Sequence, residues 1–169
     1  MDLELNGKRA LVTGGSRGIG KAIARVLAQE GVDVALLARD PQTLATAAAE
    51  LSAVTGRRVI GVRADTTADE SLRRAISDAA RQLGGAFDIL VNAAAEPAGF
   101  AGPPKLTEIT GEYFHAEMDT KVMGYIRCAR EVCRACAPPV GAASSTSAVW
   151  VRARPATRWA ACATSRWQR

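Results

Sequence analysis

The 169 residues, 48% hydrophobic and 23% charged, suit one globular domain with a core of its own. No apolar run reaches the roughly 18 residues of a membrane span, and the acidic start Met1-Asp2-Leu3-Glu4-Leu5 does not read as a signal peptide, so a cytoplasmic location is expected. The net charge of +5 is uneven: residues 1–131 hold all 17 acids and 16 bases, net −1, whereas residues 132–169 hold six Arg and no acid.

In chain order, apolar runs alternate with helical patterns. Lys8–Thr13 is predicted as a first strand. Gly18–Glu30 follows as a helix, with Ile19, Ala22, Ile23, Val26 and Leu27 on one face, and Gly31 stops it. Val32–Ala38 is a second strand. Asp40 then caps a second helix with Pro41 at its first position, running to about Val54 and stopping near Gly56. Arg58–Arg63 is a third strand. Thr67-Ala-Asp-Glu70 has capping-box form and opens a third helix to about Leu83, with Gly84-Gly85 as the turn. Phe87–Asn92 is a fourth strand, and one or two helices fill Thr107–Glu131. Such alternation requires parallel strands with right-handed crossovers, hence a doubly wound α/β sheet.

The chemistry-bearing motif is Thr13-Gly14-Gly15-Ser16-Arg17-Gly18-Ile19-Gly20, between the first strand and the first helix. Glycines here permit a tight turn, a close backbone approach to pyrophosphate, and close packing of helix on strand. The helix N-terminus then offers amide donors and a positive dipole end to phosphate. An ordinary glycine-rich turn is the plain alternative, and the strand and helix on either side argue against it. The motif resembles the cofactor loop of the short-chain dehydrogenase/reductase family. Asp65, after the third strand, matches the acid that family places near the adenine. Asn92-Ala93-Ala94-Ala95 is similar to its Asn-Asn-Ala-Gly segment, with two replacements. The resemblance covers about residues 6–131. It implies a Rossmann-type parallel sheet, here truncated after about four strands. It also implies hydride transfer between an alcohol and a ketone or aldehyde, with a nicotinamide dinucleotide and a small-molecule substrate as partners. The cofactor residues would be Gly14, Ser16, Arg17, Gly18, Ile19, Gly20, Arg39, Asp65 and Asn92.

Charge argues for NADP over NAD. An acid at the end of the second strand would bind a ribose 2′-hydroxyl, but Ala38 stands there and Arg39 follows. Arg17 and Arg39 without a carboxylate suit a 2′-phosphate, which guanidinium groups bind bidentately. The alternative is that Arg39 is a solvated strand-end residue.

No catalytic residue is assigned. The resemblance implies a Tyr-x-x-x-Lys pair, in which Lys lowers the Tyr pKa. Here Tyr113 has Glu117 and Tyr125 has Ala129 four residues on. Lys121 falls where the family carries a helix Asn; a solvated Lys is the plainer reading, a functional one the alternative. His115 has no evident partner. Cys128, Cys133, Cys136 and Cys162 show no paired metal-ligand spacing and read as reduced thiols, so no metal is assigned.

Residues 132–169 read as an irregular tail distinct from the incomplete nucleotide-binding domain at 1–131. They contain no Asp, Glu, Leu, Ile, Phe, Met or Lys, and hold all three Trp. Ala143-Ser-Ser-Thr-Ser-Ala-Val-Trp-Val151, read one base out of frame with suitable wobble bases, gives Val-Val-Asn-Val-Ser-Gly-Leu-Gly. Extended back to Cys133 it gives Leu-Pro-Gly-Met-Arg-Ala-Ala-Gly-Trp-Gly-Arg, like the family's helix end, turn and fifth strand. A single-base deletion near Val132 accounts for this, as a pseudogene product or a sequencing error. The chain is therefore expected to be inactive, to expose an apolar edge on strand four, and to form no family-type homo-oligomer. The competing reading is a non-catalytic nucleotide binder, or a nucleic-acid binder whose tail Arg and Trp contact phosphates and bases.

Overall fold

The near-continuous apolar runs Ala10–Val12, Val34–Leu37 and Ile89–Val91 are buried on both faces, which places them centrally in a parallel sheet. The computed structural model describes residues 3–95, 105–136, 148–152 and 160–162. Its strands are β1 (Arg9–Thr13), β2 (Asp33–Ala38), β3 (Val59–Arg63), β4 (Ile89–Asn92), β5 (Ala148–Arg152) and β6 (Ala160–Cys162). They form one sheet in the order β3-β2-β1-β4-β5-β6. The first five are parallel, and β6 runs antiparallel to β5. The helices are α1 (Gly18–Gln29), α2 (Pro41–Thr55), α3 (Asp69–Leu83), α4 (Gly111–Met118) and α5 (Gly124–Cys136). One π turn, Asp119–Met123, joins α4 to α5.

Period-two alternation divides the strand side chains between two layers. Leu11, Ala35, Leu37 and Leu90 face a cluster with Leu72, Ile76, Ala79 and Leu83 of α3, Phe87, and Cys128 and Val132 of α5. Ala10, Val12, Val34, Leu36 and Val91 face Ala24 and Ala28 of α1 and Leu44, Ala47 and Leu51 of α2. From β1 the chain winds outward to β2 and β3, then returns to place β4 on the other side. The strand order therefore reverses between β1 and β4, and a crevice opens beyond their C-terminal ends.

The doubly wound α/β class and the four expected strands are present, and α1, α2 and α3 end at the expected glycines. Asp40 caps α2 as expected, its Oδ1 accepting from the Gln42 amide at 3.0 Å. Three expectations need correction. The sheet does not stop at strand four: β5 pairs along the whole of β4, from Ile89↔Val149 to Asn92↔Arg152, so the expected bare edge is covered. The segment from Val132 is not uniformly irregular, since α5 continues to Cys136 and β5 and β6 follow; such short runs show no period in sequence. Of the apolar face read for α1, Ile23 and Leu27 pack against the core while Ile19 and Val26 are 68% and 56% exposed, and the fully buried residues are the small Gly20, Ala24 and Ala28. The capping box at Thr67 does not form: α3 starts at Asp69, and the Thr67 hydroxyl donates to Asp65 instead.

Candidate functional site

The crevice has a volume of about 500 Å³ and is lined by Gly14, Ser16, Arg17, Gly18, Ile19 and Gly20, by Leu37–Asp40 and Thr43, by Asp65–Thr67, by Ala93–Ala95, and by Thr120. Eight of the nine expected cofactor residues line it. Asn92 does not: it is 6% exposed, and the lining passes to Ala93 next door. Its Oδ1 is buried and has no hydrogen-bond partner among the described residues.

Thr13 ties the crevice walls together. Its Oγ1 accepts the amides of Ala93 and Ala94, both at 3.1 Å, and the Gly14 amide donates to Leu37 O at 2.7 Å. The glycine turn therefore lies pressed between β2 and the segment after β4. Gly14 has φ +67°, and a Cβ there would meet Ala93 O at 2.6 Å. A Cβ on Gly20 would collide with the Gly14 carbonyl. Bare backbone is thus required at both positions, and it forms the cradle. At the start of α1, Arg17 is extended and makes no side-chain cap, and the first turn holds no acid. The amides of that turn carry no side-chain cap and lie at the positive end of the helix dipole, where an anion would be favoured. Ile19 stands exposed at the lip.

On the β2 side, Arg39 lines the crevice while Asp40 is engaged on α2, its carboxyl held below the ordinary 3.8 chiefly by the Gln42 amide. Asp65 Oδ1 accepts from the Thr67 amide at 2.9 Å and hydroxyl at 2.8 Å. These bonds, the amide first, hold its carboxyl below the ordinary 3.8, aided by the charges of Arg39 and Arg127. A carboxyl with a depressed folded pKa adds stability above its unfolded pKa and loses it as pH falls through the folded value. The melting temperature of wild type should therefore exceed that of Asp65→Asn above pH 4, with the gap closing below pH 3.8; a gap constant from pH 7 to pH 2 would refute this.

Sequence reasoning missed two residues. Tyr125 donates its hydroxyl to Ala94 O at 3.1 Å, fixing the segment after β4 from α5. Arg127 is mostly buried; it meets Asp119 at 2.8 Å, Asp69 at 3.2 Å and Thr66 O at 3.4 Å, joining the π turn, α3 and the loop after β3. The π turn puts Thr120 on the crevice wall. Lys121 is not among the lining residues and pairs with Glu117 one turn earlier. His115 is exposed, edge-on to Phe114. Cys128 is buried in the core and its thiol is pushed up to about 12 by burial; Cys133 is exposed. Among the described residues, no group of His, Cys, Asp and Glu is arranged to hold a metal, and no helix is long and apolar enough to cross a membrane.

A family model described as short chain dehydrogenase matches residues 8–152, and so reaches past residue 131 through β5. The chain is 34% identical over 128 residues to a glucose 1-dehydrogenase of Gluconobacter oxydans, covering 76% of this chain and 46% of that protein. It is 33% identical over 123 residues to an uncharacterised oxidoreductase of Methylorubrum extorquens, covering 73% and 48%. The chain thus spans about half the length of these relatives. L-Sorbose reductase of Gluconobacter frateurii, solved with NADPH and L-sorbose, superposes with a TM-score of 0.70 at 34% identity, over 80% of this chain and 49% of that one. A short chain dehydrogenase of Burkholderia cenocepacia, solved with NADP, gives 0.67 at 38% identity, over 78% and 51%. Motif, sheet order and crevice agree with these matches: the chain belongs to the short-chain dehydrogenase/reductase family of oxidoreductases.

Proposed function

We propose that the crevice binds NADP(H) in preference to NAD(H), and that the chain as it stands does not turn over a carbonyl or alcohol substrate. The carrying observation is the uncapped start of α1 above the Gly14–Gly20 cradle, with Arg17 and Arg39 in the lining and Ala38 where a carboxylate would favour NAD. Backbone amides would hold the pyrophosphate, and the two guanidinium groups the 2′-phosphate. Asp65, steadied by Thr67, would stand near the adenine. Asn92 would act from beneath the floor, through the segment it begins. Cofactor of this kind supplies or accepts a hydride when bound. Proton transfer is what this chain lacks: neither Tyr113 nor Tyr125 has a Lys four residues on, and the Tyr125 hydroxyl is engaged with Ala94 O.

The same proposal extends to the domain division. Residues 1–131 make the nucleotide-binding unit, and from about Val132 the chain is translated out of frame. The abrupt loss of every acid and of Leu, Ile, Phe, Met and Lys supports this. So does the shifted reading of residues 143–151, which gives the apolar run Val-Val-Asn-Val-Ser. Resequencing around the Val132 codon tests it; a verified intact frame overturns it.

Function is tested by titrating NADPH and NADH by fluorescence beside a turnover assay on simple ketones. The expected result is NADPH binding without turnover. Arg39→Ala should weaken NADPH about tenfold or more, as for a lost charge-assisted bond, and leave NADH nearly unchanged. Equal weakening of both cofactors, or measurable turnover, overturns the corresponding half of the proposal.

A further inference from the structure

We propose that Arg63 is a positioning residue for cofactor choice: its side chain fixes the Arg39 peptide at the crevice lip and thereby sets the preference for a 2′-phosphate. This rests on the NADP reading of the crevice. Main-chain pairing between β2 and β3 reaches its last register pair at Ala38↔Arg63. One further backbone bond follows, from the Ala64 amide to Ala38 O at 3.0 Å. Past that point the β2 chain turns into α2, and Asp40 is fixed there by the Gln42 amide on its carboxylate and the Thr43 hydroxyl on its carbonyl.

Arg39 is the single residue between these two anchored positions. Its carbonyl accepts a hydrogen bond from Arg63 Nε at 3.2 Å. A side chain thus continues the ladder where the backbone can no longer do so. Arg39 lines the crevice and Arg63 does not, so Arg63 acts through Arg39. No carboxylate pairs with Arg63 among the described residues, and its guanidinium is committed to this carbonyl instead. The bond resists rotation of the Arg39 peptide, and that peptide sets the direction in which the Arg39 side chain leaves the strand.

The experiment measures dissociation constants for NADPH and NADH with the full chain in four forms: wild type, Arg63→Ala, Arg63→Lys and Arg39→Ala. Arg63→Ala should weaken NADPH about three- to tenfold, the worth of one hydrogen bond from a charged donor, with NADH changed by less than about twofold. Arg63→Lys keeps the charge but has no Nε–H at that place, and should reproduce most of the loss. Wild-type NADPH affinity in Arg63→Lys would reduce the role to charge and overturn positioning. Equal losses for both cofactors in Arg63→Ala would make Arg63 a structural residue only. Equal NADPH and NADH affinity in wild type would instead overturn the NADP reading, and this proposal with it. Loss of preference in Arg39→Ala alone keeps that reading and rejects Arg63.

Discussion

Gly14→Ala should lose nucleotide binding and about 2–5 kcal/mol of stability. Two costs combine. The residue sits at φ +67°, where an L side chain costs about 1–2 kcal/mol. The new methyl also meets three backbone atoms: Ala93 O at 2.6 Å, Ala93 C at 2.8 Å and Ala94 Cα at 2.9 Å. Backbone cannot rotate out of the way, and this segment is pinned by the Thr13 hydroxyl and by Tyr125, so overpacking adds about 1–3 kcal/mol. Either the glycine turn or the floor after β4 must shift, and the crevice lies between them. Gly18→Ala is the control. Gly18 also has positive φ, +56°, but nothing lies within 4 Å of its Cβ position, so only the backbone cost of about 1–2 kcal/mol applies. Urea denaturation and NADPH titration of the two variants measure the difference. Equal losses in both would mean that the contact with Ala93 is not what demands glycine.

The contrast between those glycines marks where sequence reading reaches and where it ends. The alternation of β1–α1–β2–α2–β3–α3–β4 was legible because strands buried on both faces must be apolar along their length, and helix ends carry Asp-Pro and Gly signals. Eight of the nine residues assigned to the site line the crevice because one short loop and two strand ends carry nearly all of it. Tyr125 and Arg127 were not legible. Tyr125 meets a carbonyl 31 residues back and Arg127 one 61 residues back, and only the crossover onto α5 brings them there. The apolar spacing on α1 picked out Ile23 and Leu27, which pack on the core, but not Gly20, Ala24 and Ala28, because close helix-to-sheet approach favours small residues that hydrophobicity does not mark. The capping box failed because α3 starts two residues later, at Asp69 with Ala68 as its N-cap, while Thr67 is drawn into the turn closed by Asp65, to which its hydroxyl donates at 2.8 Å. Strand β5 was missed because five residues are too few to establish a period, and its pairing is a property of the β4 edge.

Phe87→Ala should cost about 3–5 kcal/mol, a large share of the ~5–15 kcal/mol that holds a domain of this size together. Phe87 is fully buried, and it belongs to the layer formed by Leu83 at the end of α3, Leu11 and Leu90 of the sheet, and Cys128 and Val132 of α5. Truncation removes the ring from water-excluded packing and leaves a cavity that sheet and helices, anchored elsewhere, cannot close. The consequence reaches the crevice. Helix α5 is held on the sheet by this apolar layer, and its Tyr125 and Arg127 hold the segment after β4 and the loop after β3. A loosened α5 should therefore weaken NADPH binding even in the fraction that stays folded, although Phe87 lines no part of the crevice. Val122→Ala provides the comparison: that residue is 40% exposed on the outer side of the π turn, and its change should stay within about 0.5 kcal/mol. Urea midpoints and NADPH titrations at a temperature where both variants are folded read the two effects separately. A Phe87→Ala midpoint equal to wild type would show that the α5 side of the sheet is not packed as described. A lowered midpoint with unchanged NADPH affinity would show that α5 does not support the crevice.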